Sequence, residues 1–473
     1  MIFSSITFLF YFLPVFLFFY FISKHKNGTL LFGSLFFYAW GESGYVLLLM
    51  ASIIVNYGIG LRVSQSSSRG LWLTLGVTLN LIPLILFKYM HFFVHSINPL
   101  IETLKGAPIS FTPLHLPLGI SFFTFQAISY IIDVYRNETP AEKSIFPVAL
   151  YISMFPQLLA GPIVRFRTIS NALAAPKNDA SQFSSGVRSF LIGLSQKVLL
   201  ANTLTQSVDQ IFSLPLSEIR FSLSWLAAIG YTLQIYYDFA GYSNMAIGLG
   251  RMMGFELPQN FNYPYLSQSI TEFWRRWHIT LSQWFRDYLY IPLGGNRKGA
   301  PRLYLNLLIV FFICGLWHGA SYTFVAWGLY YGFFLIIERM GLKNLLAKAP
   351  IPLRRLYALL IIVVGWVLFR SDSFEQALTF IQAMAGLKHG EGIYAITPYL
   401  SLDMMLALVI GCIVSGPHSL LRNALSNTMR PLTINPRAAW SPVIETIGLI
   451  MSFVLVAMFL ASGVYHPFIY FQF

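Results

Sequence analysis

Apolar runs of a dozen to twenty residues follow one another along this chain, separated by short connections. The stretch Leu303 to Ala320, LYLNLLIVFFICGLWHGA, contains no Asp, Glu, Lys or Arg. About 20 apolar residues are what one helix needs to cross the hydrocarbon of a bilayer. In lipid every backbone N–H and C=O must be satisfied internally, so such runs are predicted to be helices. Candidate spans lie near 6–22, 29–40, 44–61, 71–87, 116–133, 145–161, 186–203, 222–239, 303–319, 321–338, 356–369, 402–416 and 444–462. Several are too short to cross alone and predict re-entrant or tilted segments buried in protein, leaving about eleven crossings. Charged residues make up 10% of the chain, against roughly 25% in soluble proteins, too few to cover a water-facing surface of this size. The expected fold is an all-α polytopic membrane protein, a single integral-membrane domain over 1–473 with neither a soluble domain nor an internal repeat of the transporter kind.

The formal net charge is +13. Its carriers sit in the connections between apolar runs, as at Lys24 and Lys26, Arg62 and Arg69, Arg165 and Arg167, Arg354 and Arg355, and from Arg422 to Arg437. That is the pattern of cytoplasmic loops, so the charge reports topology and not nucleic-acid binding. The basic loop Ser23 to Gly28 after the first span predicts an extracytoplasmic N-terminus. No basic residue precedes that span and no small-residue cleavage site follows it, so it is expected to be retained. Cys314 and Cys412 lie far apart in apolar stretches and indicate no disulfide framework.

The longest non-apolar stretch runs from Pro258 to Arg302. Ser269 followed by Glu272 forms a capping box, which predicts a helix start, and Pro292 with Gly294 and Gly295 predicts its end. At about 100° per residue, Trp274, Trp277, His278, Leu281, Trp284, Phe285 and Tyr288 share one face. Arg275, Arg276, Ser282, Gln283, Arg286 and Asp287 share the other. Such a helix either lies in the membrane interface or lines a chamber with its rings and His278. The loop Gly294 to Gly299 lacks P-loop spacing and reads as a turn. The cluster Arg275, Arg276, Arg286, Arg297, Lys298 and Arg302 suits the phosphates of a nucleotide-bearing acyl donor such as coenzyme A, although ordinary cytoplasmic charge accounts for it more simply.

His318 closes an apolar run, and an ionisable group at membrane depth is a candidate functional residue. A neutral imidazole is also suited to proton transfer near pH 7. Cys314 shares its helix face, but a small apolar Cys is ordinary in a span. His91 and His95 have the i, i+4 spacing of some metal pairs without an evident third ligand, so no metal site is expected. Gln234 and Asp238 interrupt an apolar stretch. Asp238 needs a partner there, either a substrate group, a histidine or another helix.

Together these segments resemble the membrane-bound O-acyltransferase family, in particular its alginate O-acetyltransferase branch. The resemblance covers nearly the whole chain, through IFSSITFLFYFLPV, FKY, LPLGISFFTFQAISYIIDVYR, FPQLLAGPIVRF, YTLQIYYDFAGYSNMAIGLGRMMGF and the terminal FIYFQF. Its most specific blocks are RRWHITLSQWFRDYLYIPLGGN and GLWHG. The resemblance implies a tunnel through the protein, a catalytic core over about 116–340, His318 as principal catalytic histidine and His278 as the second. It implies acetyl transfer from acetyl-CoA, with no bound cofactor, to an exported polysaccharide through an extracytoplasmic SGNH-type acetyltransferase, in the bacterial inner membrane. His318 would act as general base on the attacking hydroxyl or hold that hydroxyl for attack on the thioester, and His278 would orient it or stabilise the oxyanion. Candidate donor- or substrate-binding residues are Arg275, Arg276, Arg286, Asp287, Asn296, Trp274, Trp277, Trp317, Asp238 and Gln234. The residues alone leave open a transporter or flippase, D-alanyl transfer from a carrier protein, and a lipid acyltransferase.

Overall fold

The computed structural model describes residues 1–174, 179–388, 393–416, 441–463 and 468–469. The basic run from Arg422 to Arg437 lies outside the described residues, as does most of the terminal FIYFQF. Among the described residues all regular structure is helical. Five helices are long and apolar enough to cross a membrane: α1 (Val46–Gln65), α2 (Arg69–Thr103), α8 (Gly299–His318), α10 (Ile351–Arg370) and α11 (Val443–Ala461). Between them in the chain come α3 (Ile120–Tyr135), α4 (Ala180–Ser195), α5 (Phe221–Met252), the short helices α6 (Ile270–Arg276) and α7 (Ile279–Phe285), and α9 (Tyr322–Ile337). Shorter apolar helices cover Thr7–Ile22 and Leu402–Val414. The chain is an all-α polytopic membrane protein. Its outer helices turn apolar side chains outward, as α11 does with Ile444, Ile447, Met451 and Met458, which suits contact with lipid.

The centre of the bundle is α5. From Leu223 to Met252 nearly every side chain on it is buried. Its closest neighbour is α4, and glycines set their separation. A Cβ on Gly193 would meet the Gly241 carbonyl at 2.4 Å, and one on Gly248 would meet the Gly186 carbonyl at 2.6 Å. Small residues at such crossings let membrane helices approach backbone to backbone.

Polar groups inside the bundle are paired across helices. Asn56 of α1 and Asn80 of α2 exchange amide hydrogen bonds at 3.0 and 2.8 Å. Lys197 meets Asp238 of α5 at 2.5 Å, both fully enclosed, and the other Asp238 oxygen accepts from the Ile469 backbone N–H at 2.7 Å. Asp238 therefore ties three parts of the chain together, and its charge is matched where an unpaired one would be costly.

The expected span 145–161 is not one helix. It breaks at Met154 into Ile145–Ser153 and Phe155–Leu158 and continues as irregular, buried backbone. Protein groups satisfy that backbone: the Tyr151 hydroxyl donates to the Val164 carbonyl at 2.9 Å, and Phe155 N–H donates to Ser34 Oγ at 3.1 Å. Irregular backbone at membrane depth is tolerated where protein supplies such partners. This segment reaches the centre of the molecule, where Ile163 N–H donates to Thr280 Oγ1.

The glycine crossing gives a direct expectation. Gly248→Leu forces α4 and α5 apart and costs on the order of 1–3 kcal/mol. The thermal midpoint of the detergent-solubilised protein should fall by several degrees, whereas Gly448→Leu, with nothing within 4 Å of its Cβ position, should leave it unchanged.

Candidate active site

The amphipathic segment after Ser269 is buried in protein and is not a single helix. Ser269 caps α6, accepting from Glu272 N–H at 3.0 Å, while the Glu272 carboxylate accepts from Gln268 N–H at 2.9 Å. Glu338, buried at the end of α9, accepts from the N–H groups of Ile270 and Thr271 at 2.5 and 2.9 Å. A carboxylate there meets both the orphan amides and the positive end of the helix. The helix then stops. Trp277 is extended, and His278 adopts the left-handed region at φ 40°, ψ 56° before α7 begins.

For a residue with a Cβ that conformation costs roughly 1–3 kcal/mol. Asn260 offsets it. Its carbonyl accepts from Ile279 N–H at 2.9 Å and its side-chain Oδ1 from Thr280 N–H at 3.3 Å, so one residue caps the new helix. The same Oδ1 lies 2.9 Å from Thr280 Oγ1 and 3.0 Å from His278 Nδ1. Asn260 Nδ2 donates to Ser243 Oγ of α5 at 3.1 Å. His278 Nε2 is buried and makes no hydrogen bond among the described residues.

His318 is the last residue of α8, buried, and reaches the same place from the opposite side. Both imidazoles neighbour the Trp317 ring, whose centroid is 6.2 Å from that of His278 and 4.9 Å from that of His318. Phe239 meets His278 edge-on at 4.6 Å, and Trp327 and Phe369 meet His318 edge-on at 5.0 and 5.4 Å. Phe125 of α3 stacks on Trp284 at 3.8 Å and on Trp317 at 5.4 Å, joining α7 to α8.

The end of α8 is held from α2. In a widened turn at Ile85–Tyr89, Lys88 Nζ donates to the carbonyls of Trp317 and His318 at 2.6 and 3.2 Å, and the Tyr89 hydroxyl donates to that of Leu316 at 2.8 Å. A cation at a helix C-terminus satisfies carbonyls the helix cannot and complements its dipole. Beside these groups lies a cavity of about 40 Å³, lined by Lys88, Gly119, Ser121, Phe122, Trp317 and His318 among others. A larger cleft of about 630 Å³ opens on another side. Its buried walls include Trp274, Leu281 and Cys314, and its exposed residues include Arg275, Gln283, Arg286 and Arg339. Trp274 packs on Trp327 at 5.7 Å and Trp327 on His318, so two indole rings in contact link the cleft wall to the imidazole.

The model of the "MBOAT, membrane-bound O-acyltransferase family" matches residues 136–370. The chain is 45% identical over 392 residues to a protein of Azotobacter vinelandii named "Probable alginate O-acetylase AlgI", covering 81% of this chain and 78% of that one. A protein of the same name from Pseudomonas putida is 40% identical over the full length of both. The peptidoglycan O-acetyltransferase of Helicobacter pylori is 37% identical over 82% of this chain and 80% of that one. This chain belongs to the membrane-bound O-acyltransferase family. It is an O-acyltransferase.

The acyltransferase brings some of the sequence-selected residues together and not others. Trp274, Trp277 and Trp317 join the aromatic walls, Trp277 lying 4.7 Å from Trp366 of α10. Arg275 and Arg286 reach the cleft. Arg276 is engaged with Glu272 at 2.8 Å. Asp287 is held between Arg286 at 2.6 Å and Arg165 at 2.7 Å. Asn296 is exposed in a turn. Gln234 is buried one turn before Asp238, and Asp238 spends its carboxylate on Lys197 and Ile469. The groups that set the histidines, Lys88, Asn260 and Thr280, were not singled out in the sequence. Lys88 carried a usable signal, a lone cation at the end of the apolar run 71–87.

If Lys88 fixes the end of α8, Lys88→Met should reduce acyl transfer at least tenfold, mainly in kcat, in protein that still elutes as a folded species. Unchanged kcat would remove Lys88 from the account.

Proposed function

We propose that this acyltransferase takes an acetyl group from cytoplasmic acetyl-CoA and passes it across the bacterial inner membrane for O-acetylation of an exported polysaccharide, with His278 and His318 at the reaction centre. The observation that carries this reading is their convergence. Two imidazoles from separate elements neighbour one indole ring in a buried, aromatic chamber. The aromatic rings around the imidazoles limit access of the water that would hydrolyse a thioester. An imidazole can take the proton of an attacking hydroxyl and return it to the leaving thiol.

The cleft beside Trp274 suits the donor. Its volume falls in the range of small-molecule sites. Arg275, Arg286 and Arg339 place cations where the phosphates of coenzyme A would lie, and the Trp274 and Trp327 rings line the way to His318. The cavity on the other side of His318 has room for about one to three waters, hence for a small group such as a hydroxymethyl or acetyl. The acceptor of the acetyl group is a polysaccharide hydroxyl or a serine of an extracytoplasmic partner of the SGNH acetyltransferase type. The relatives acting on alginate and on peptidoglycan support an exported polymer as the destination.

Purified protein in detergent, supplied with radiolabelled acetyl-CoA and an oligosaccharide or partner acceptor, tests the reading. His318→Ala and His278→Ala should each lose at least 100-fold in transfer. Arg275→Ala with Arg339→Ala should raise the KM for acetyl-CoA with little change in kcat. Full transfer by either histidine variant would reject the centre. Transfer from an aminoacyl carrier protein and none from acetyl-CoA would replace the donor.

A further inference from the structure

The bonds around Asn260 decide what His278 can do, given that it works at the reaction centre proposed above. The Thr280 backbone N–H can only donate, and it points at one atom of the Asn260 side-chain amide. That atom must therefore be the oxygen. The opposite orientation would set an amide NH₂ against a backbone N–H, donor against donor. The amide NH₂ lies on the other side, donating to Ser243 Oγ. An amide oxygen cannot donate, so the 3.0 Å contact from His278 Nδ1 requires a proton on Nδ1. A neutral imidazole has one such proton. Its Nε2 then carries a lone pair, and Nε2 is the buried atom that meets no donor or acceptor among the described residues.

We propose that Asn260 is a positioning residue that locks His278 in the Nδ1–H form, so that His278 Nε2 is the group that takes the proton from the acceptor hydroxyl. A neutral imidazole in this form has no N–H on Nε2 with which to stabilise an oxyanion, so the division of roles differs from the one the motifs imply. As the acceptor O–H bond breaks, its proton passes to Nε2 and its oxygen bonds to the thioester carbonyl carbon. When that tetrahedral centre collapses, the C–S bond breaks and the thiolate takes the proton back from Nε2. The ester and free thiol leave, and His278 returns to the Nδ1–H form. The developing oxyanion needs another donor. Trp317 Nε1–H is buried, its ring neighbours both imidazoles, and it has no hydrogen-bond acceptor among the described residues. Hydrogen bonds to the ring nitrogen that faces away from the substrate fix a histidine's tautomer in other catalytic sites, where disturbing them costs large factors in rate.

The charged and titratable groups on elements packed around His278 are few. His318 neighbours the Trp317 ring, and Lys88 is bonded to the carbonyls of both. Asp238 neighbours Phe239 on α5 but is paired with Lys197. Tyr236 and Tyr242 lie on the same helix, and Tyr236 packs 6.2 Å from Trp277.

Two measurements test the assignment. The first uses wild-type protein in lipid, labelled with ¹⁵N-histidine, the His278 resonances being identified by their loss in His278→Gln. A protonated Nδ1 with an unprotonated Nε2 at neutral pH is expected, and a proton on Nε2 would overturn the assignment. The second is the pH profile of acetyl transfer. Asn260→Asp keeps the acceptor oxygen but adds a negative charge that favours the imidazolium. The base then stays protonated to higher pH, and the acid limb of the profile should move up by about one unit or more. Asn260→Leu should lower kcat roughly 100-fold with the KM for acetyl-CoA nearly unchanged. A residue that serves only to fold the site would lower the thermal midpoint without moving the acid limb, and that result would overturn the proposal. If His278→Ala transfers acetyl normally, the reaction centre itself is wrong and the proposal falls with it. If His278→Ala is inactive while Asn260→Asp leaves the profile in place, only the role of Asn260 is lost.

Discussion

A polar ring enclosed by aromatic side chains keeps one orientation only when a partner holds it, and in this acyltransferase that partner is Asn260. Its main-chain and side-chain oxygens accept from Ile279, Thr280 and His278, and its amide nitrogen reaches Ser243. These bonds start the helix at Ile279 and hold the His278 ring beside Trp317. The left-handed backbone at His278 is affordable because the amides it exposes are satisfied by the same residue. Without that clamp the segment would run on as a continuous helix, and its imidazole would not be presented at a helix start.

The larger architecture supports the same end. Close glycine packing between α4 and α5 sets the central helix, whose Ser243 anchors Asn260. The irregular segment after Leu158 brings Ile163 to Thr280. Lys88 and Tyr89 hold the end of α8, so that His318 arrives from the other side. The hydrogen bonds among these devices satisfy polar groups that burial would otherwise leave unpaired at a cost of roughly 1–3 kcal/mol each. The interior of a membrane protein offers no solvent to do so instead.

Much of this was legible in the sequence. Long uncharged runs dictated helices in lipid, and the Ser269–Glu272 pair marked a helix start that the structure shows. The apolar face of Trp274, Trp277, His278, Leu281, Trp284, Phe285 and Tyr288 is buried as its periodicity required. The break inside that face was not legible, because a 100° projection presumes a continuous helix and the residue that breaks it, Asn260, lies eighteen positions earlier. Nor did local sequence reveal that Asp238 answers Lys197, or that Lys88 holds a carbonyl of His318 far along the chain. Pairings over such separations depend on the tertiary fold, and only a lone charge in an apolar run hints that one must exist.

An experimental structure with a non-hydrolysable thioether analogue of acetyl-CoA would locate the donor relative to His278. The nucleotide should lie near Arg275, Arg286 and Arg339, with the acyl carbon beyond the Trp274 ring and about 3–3.5 Å from an attacking oxygen that is hydrogen-bonded to His278 Nε2. An analogue whose acyl end stays outside Trp274 in every state, or one that binds with His278 turned away from Trp317, would contradict that arrangement.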